Sequence, residues 1–120
     1  MSPALFKVVH ITAVIYTFTA LGGLLVHAVD GTREGGAGRR LAGLTHGLAL
    51  LVVLFTGFGL VAGLGTGMAP WVWLKLLVWL LVGASLVAIR RLPGMARLLW
   101  LALPLLGALG AYLAIWKPGA

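Results

Sequence analysis

Four long apolar runs, separated by three short polar links, account for almost the whole chain. They extend over residues 4–29, 41–65, 70–89 and 95–116. Each reaches the roughly 20 residues that a helix needs to cross about 30 Å of hydrocarbon. A backbone in lipid must satisfy its own N–H and C=O groups, so the runs predict transmembrane helices. The first link, Asp30 to Arg40, reads DGTREGGAGRR and predicts a mobile loop holding both acids of the chain, Asp30 and Glu34. GLGTGMAP closes the second run, with Pro70 suited to open the third helix. RRLPG separates the last two. Links this short make sequential helices antiparallel neighbours. The expected architecture is an all-α, integral membrane, antiparallel four-helix bundle, one domain over residues 1–120.

Composition sharpens this picture. Of 120 residues, 62% are hydrophobic and 9% charged, against about a quarter charged in soluble domains. The first run is too long for the roughly 7–15-residue apolar stretch of a signal peptide, and reads as a membrane helix. The net charge of +7 comes from nine basic residues, mostly in clusters between the runs. With no extended basic face to follow phosphates, nucleic acid is excluded as a partner; the partner expected is the lipid bilayer. Arg33, Arg39, Arg40, Arg90, Arg91 and Arg97 lie on one side, while Lys7, Lys117 and Lys75 lie toward the other. The positive-inside rule makes the arginine links cytoplasmic and places both termini outside, periplasmic in a Gram-negative cell. Trp71, Trp73 and Trp116 then mark the outer interface and Trp100 lies nearer the inner one, while Trp79 is deeper. Glycines spaced four apart in the second run (Gly43 and Gly47, Gly59 and Gly63) suit close helix packing first of all, with a flat cofactor lying on a glycine face as the sharper alternative.

Ionisable side chains inside a membrane are costly and mark functional candidates. Here they are His10, His27, His46 and Lys75. His10 and His27 are separated along one helix by about 25 Å, too far to share an iron. His27 and His46 fall at one depth, near the inner side. His10 and Lys75 fall at another, near the outer side. Neutral imidazole is an axial ligand for haem iron, so the inner pair suits a bis-histidine haem b site. The outer pair offers one histidine and a cation for a propionate or another anionic group. A histidine near the interface is also commonly just solvated, and Lys75 can snorkel to water. Thr12, Thr17, Thr19, Tyr16 and Thr45 can hydrogen-bond across helices or to the histidines. There are no cysteines, which removes disulfides, iron–sulfur clusters and thiolate metal sites. Paired carboxylates are absent from the runs, and Ser85 has no acid at its level, so neither acid–base pairs nor a Ser–His–Asp set is expected.

Three of the four runs bear a resemblance. FKVVHITAVIYTFTALGGLLVH, with Phe6, Lys7, His10 and Tyr16, resembles the first helix of small four-helix membrane proteins of the SirB2, CopD and HemJ families. RRLAGLTHGLALLVVLFTGFGL resembles their second helix, with His46 near its start as in the SirB2 form. WVWLKLLVWLLVGASLVAIRR resembles the third, where Trp73 and Lys75 match a Trp–x–Lys opening. The SirB2 layout is nearest in length. The HemJ resemblance implies a protoporphyrinogen oxidase with haem b on His10 and Lys75 as partner. The chain is shorter than those proteins, and the start of its second helix and its fourth helix depart from their pattern. The CopD resemblance implies copper handling, which three unclustered methionines support poorly.

The leading expectation is a small membrane protein that binds haem b, with His10, His27 and His46 as candidate iron ligands, or that serves a redox system with a partner protein. The alternatives are a cofactor-free structural subunit of a larger membrane complex and a HemJ-like oxidase. A homo-oligomer is compatible with all three.

Overall fold

The computed structural model contains α1 (Pro3–Val29), α2 (Ala37–Leu64), α3 (Pro70–Arg91), a single 3-10 turn (Pro93–Met95) and α4 (Ala96–Trp116). The structure describes residues 2–31 and 36–119; Arg33 and Glu34 of the first polar link lie outside the described residues. All four helices are long and apolar enough to cross a membrane, and no strand occurs among the described residues.

Local chemistry sets the helix ends. Ser2 caps α1, its hydroxyl oxygen accepting from the Leu5 N–H at 3.2 Å, with Pro3 in the first turn. Pro70 opens α3 in the same way. Gly65, at φ 69°, closes α2 in the left-handed conformation that glycine adopts without a Cβ penalty. Two boundaries correct the sequence expectation. Arg39 and Arg40 belong to the first turn of α2, not to the loop, and Arg90 and Arg91 belong to the end of α3. Arginine is a strong helix former, so a charge that ends an apolar run need not end a helix. What ends α3 is Pro93, which forces Leu92 out of the helical region to φ −127°, ψ 64°.

The bundle is antiparallel. Its termini end gathers the start of α1, the α2–α3 link and the end of α4; its loop end gathers the end of α1, the start of α2 and the α3–α4 link. α1 packs against α2, α3 and α4, whereas α2 and α4 occupy opposite flanks. The main apolar core lies toward the loop end. It joins Leu21, Leu24 and Leu25 of α1 to Val82 and Ile89 of α3 and to Ala96 and Leu103 of α4. The α1–α2 seam is built differently, with small buried residues such as Ala13 and Ala49 that let the two backbones close together.

The molecule measures 47 × 27 × 16 Å, too thin to bury most of its apolar side chains. Ile15, Phe55, Leu101 and Leu105 therefore face outward. An apolar surface this extensive would aggregate in water and is solvated by lipid tails in a bilayer.

Candidate functional site

At the termini end the helices part around a cavity of about 510 Å³. Lys7 and His10 of α1, Trp71, Lys75 and Trp79 of α3, and Lys117 just beyond α4 line it, and α2 supplies an apolar wall. The volume falls within the roughly 300–1,000 Å³ typical of small-molecule and cofactor sites.

His10 reaches this cavity because α2 makes room for it. A Cβ placed on Gly57 would lie 3.4 Å from His10 Cε1, so the imidazole packs against bare backbone. One turn earlier Phe6 fills the corresponding notch at Gly59. The glycines of α2 thus divide by role. Gly57 and Gly59 receive α1 side chains, Gly43 leaves space for the Arg90 guanidinium, and nothing approaches Gly47 or Gly63.

The protonation of His10 follows from its neighbour. His10 Nδ1 lies 2.8 Å from Thr56 Oγ1. That hydroxyl has one proton, and it is directed at the Val52 carbonyl at 2.6 Å. Turning the proton toward His10 would leave two oxygen lone pairs facing each other at that distance. Thr56 therefore accepts, and His10 Nδ1–H donates. In the neutral ring, Nε2 then holds an open lone pair, the state an imidazole needs in order to ligate a metal.

The cations and indoles complete the wall. Lys75 is half-buried and makes no hydrogen bond or ion pair among the described residues, while His10 and Lys117 lie within electrostatic reach. Lys117 adopts φ 48°, unusual for a residue with a side chain, and this turns it back over the bundle. Its ammonium donates to the Ala114 carbonyl at 2.6 Å and stands 5.5 Å from the Trp71 ring centre, a cation–π arrangement. Trp79 donates its indole N–H to the Leu50 carbonyl at 3.0 Å. Trp71 is 5% exposed, and its indole nitrogen is a buried polar atom without a hydrogen-bond partner among the described residues.

The histidines of the loop half are placed otherwise. His46 is 2% exposed and its Nε2 donates to the Val82 carbonyl of α3 at 3.3 Å, an oxygen that also accepts from Ser85. His27 lies on the exposed side of the last turn of α1. Its 17-residue separation from His10 turns it roughly 100° around the helix, away from the face that His10 shares with the packed residues. No group of three or more histidines, cysteines and carboxylates suited to hold a metal ion occurs among the described residues.

The structure thus brings two of the four candidate residues, His10 and Lys75, to one cavity. It adds Thr56, Gly57, Trp71, Lys7 and Lys117, which sequence reasoning did not assign to a site. One signal was available for Thr56. It stands as far from the end of α2 as His10 stands from the start of α1, to within a residue, in helices that run antiparallel. For Trp71 there was none, because an unsatisfied N–H exists only in three dimensions.

Fold and cavity together define a multi-pass membrane four-helix bundle with a basic, aromatic-lined pocket at one end. Comparison with family models, with curated proteins and with solved structures finds no match to this chain.

Proposed function

We propose that this protein binds haem b in the termini-end cavity, with His10 Nε2 as the axial ligand. The observation that carries this reading is the proton chain from His10 through Thr56 to Val52, which leaves Nε2 open on a residue lining a cavity of cofactor size. Lys75 and Lys117 suit the propionates as charge-assisted donors. Held there, a haem would supply one-electron chemistry, and the role we assign is a small redox one toward a partner in the same membrane. The inner pair is the weaker ligand set, because His46 is packed at 2% exposure away from the cavity and His27 lies on the exposed side of α1. In this reading the arginine-bearing loop end faces the cytoplasm and the cavity opens on the other side.

The test is an absorption spectrum of the detergent-purified protein, oxidised and reduced, after expression with ample haem. A Soret band that His10→Ala removes, and that His27→Ala and His46→Ala retain, is expected. No Soret band in the unaltered protein sinks the reading in favour of a cofactor-free subunit of a larger membrane complex. A second reading draws on His10 and Lys75 sharing one wall, which is the pairing that the HemJ resemblance implies. Direct assay of protoporphyrinogen oxidation decides it, with turnover lost in both His10→Ala and Lys75→Gln.

A further inference from the structure

The cavity has one property that a haem ligand alone does not require. Four basic side chains, Lys7, His10, Lys75 and Lys117, border it, and no acid does. The chain has only two acids, Asp30 and Glu34, and both belong to the first polar link. A charge in a low-dielectric wall is costly unless it is paired, and Lys75 has no such pair among the described residues. The Trp71 ring borders the same space, but its indole nitrogen is closed to any atom of the size of water, so it is the cations that an acid in the cavity meets. The rest of the wall is apolar, including Leu54, Phe58, Val61 and Leu76.

We infer that this cavity is a receptor site for an amphipathic anion. Its acidic head takes hydrogen bonds from Lys75 and Lys117 beside the Trp71 ring, and its apolar body lies along α2 and Trp79. Lys117 keeps donors for this purpose, since an ammonium has three and Ala114 occupies one. The site requires no metal, so it goes beyond the haem reading; because haem would take the same cavity and the same two lysines, the two are tested on separate preparations. The occupant is either a free long-chain carboxylate or the head of an anionic lipid; the chemistry recognised is the same.

The test places the full chain, prepared free of haem as shown by the absence of a Soret band, in nanodiscs of zwitterionic lipid and titrates palmitate against methyl palmitate. The readout is the 15N–1H signal of the Trp71 indole, assigned by its loss in Trp71→Phe. Palmitate is expected to move that signal and to bind at least about tenfold tighter than the ester, as charge-assisted hydrogen bonds imply. Lys75→Gln should abolish the preference and Lys75→Arg should keep it, with helix content checked by circular dichroism. A parallel titration in nanodiscs containing phosphatidylglycerol separates the sources. Displacement of palmitate with a shifted Trp71 signal identifies a lipid head, and undiminished palmitate binding identifies a free amphiphile. Equal affinity for acid and ester, a preference unchanged in Lys75→Gln, or a Trp71 signal that neither probe moves overturns the proposal. Each of those outcomes leaves the His10 absorption test untouched, and a missing Soret band leaves the palmitate result intact.

Discussion

The two ends of this bundle are made from similar residues and behave as opposites. Toward the loop end, Leu21, Leu24, Leu25, Val82, Ile89, Ala96 and Leu103 close into a continuous apolar core, and the nearby histidine, His46, is buried with Nε2 bonded to a main-chain carbonyl. At the termini end the helices part around a cavity, His10 keeps Nε2 open, and one buried indole lacks an acceptor. A histidine on a packed face is therefore not a site in itself. Each ring keeps one nitrogen after its hydrogen bond, so what separates His46 from His10 is whether open space remains beside the ring. Dense packing at one end holds the helices together while the other end stays open.

The largest expected effect breaks the comparison between the histidines. His10→Ala should remove haem absorbance altogether, whereas His46→Ala should leave the spectrum in place and lower stability, since Val82 loses a donor. Loss of the spectrum in both variants would show that the two ends are not separate. Next comes packing. Leu103→Ala, in the closed core, should cost about 2–5 kcal/mol in an equilibrium unfolding measurement in bicelles, and Leu76→Ala, on the cavity wall, should cost less because part of its surface already borders open space. Equal costs would mean that the cavity is filled as tightly as the core. Thr56→Val keeps the shape and removes the acceptor for His10 Nδ1–H. It should weaken haem affinity by about 10–100-fold, as loss of a group orienting a ligating histidine does, and Thr56→Ser should restore it. The smallest effect is expected at Gly57. Gly57→Ala adds about 0.5–1 kcal/mol of helix stability by propensity. Its new methyl group would touch His10 Cε1 at 3.4 Å and shift the Soret maximum slightly.

Much of the fold was legible. The four apolar runs predicted four helices, and the structure has them, with Pro3, Pro70 and Pro93 at the boundaries they suit. The misplaced boundaries at Arg39–Arg40 and Arg90–Arg91 share one cause. Hydropathy reports where a segment leaves the membrane, not where its backbone stops being helical. The candidate site was half legible. Depth counting placed His10 beside Lys75 at one level because axial rise is nearly constant along a helix. It also placed His27 level with His46, but depth says nothing about which way a side chain faces, and the structure leaves His27 exposed and turns His46 Nε2 toward α3. Thr12, Thr17, Thr19, Tyr16 and Thr45 were named as hydroxyls able to bond across helices or to the histidines, and the hydroxyl that meets His10 is Thr56.

The sequence by itself determined that the chain forms four helices long and apolar enough to cross a membrane, and at which level along them each ionisable group lies. These follow from hydrophobic length and from the helical rise, which are properties of one segment at a time. Tertiary structure alone decided that the helices part at one end and close at the other, that the Thr56 proton goes to Val52 so that His10 must donate, and that the indole of Trp71 is left without an acceptor. Each depends on the rotation of one helix against another, and the apolar faces of membrane helices, alike on every side, encode that rotation only weakly.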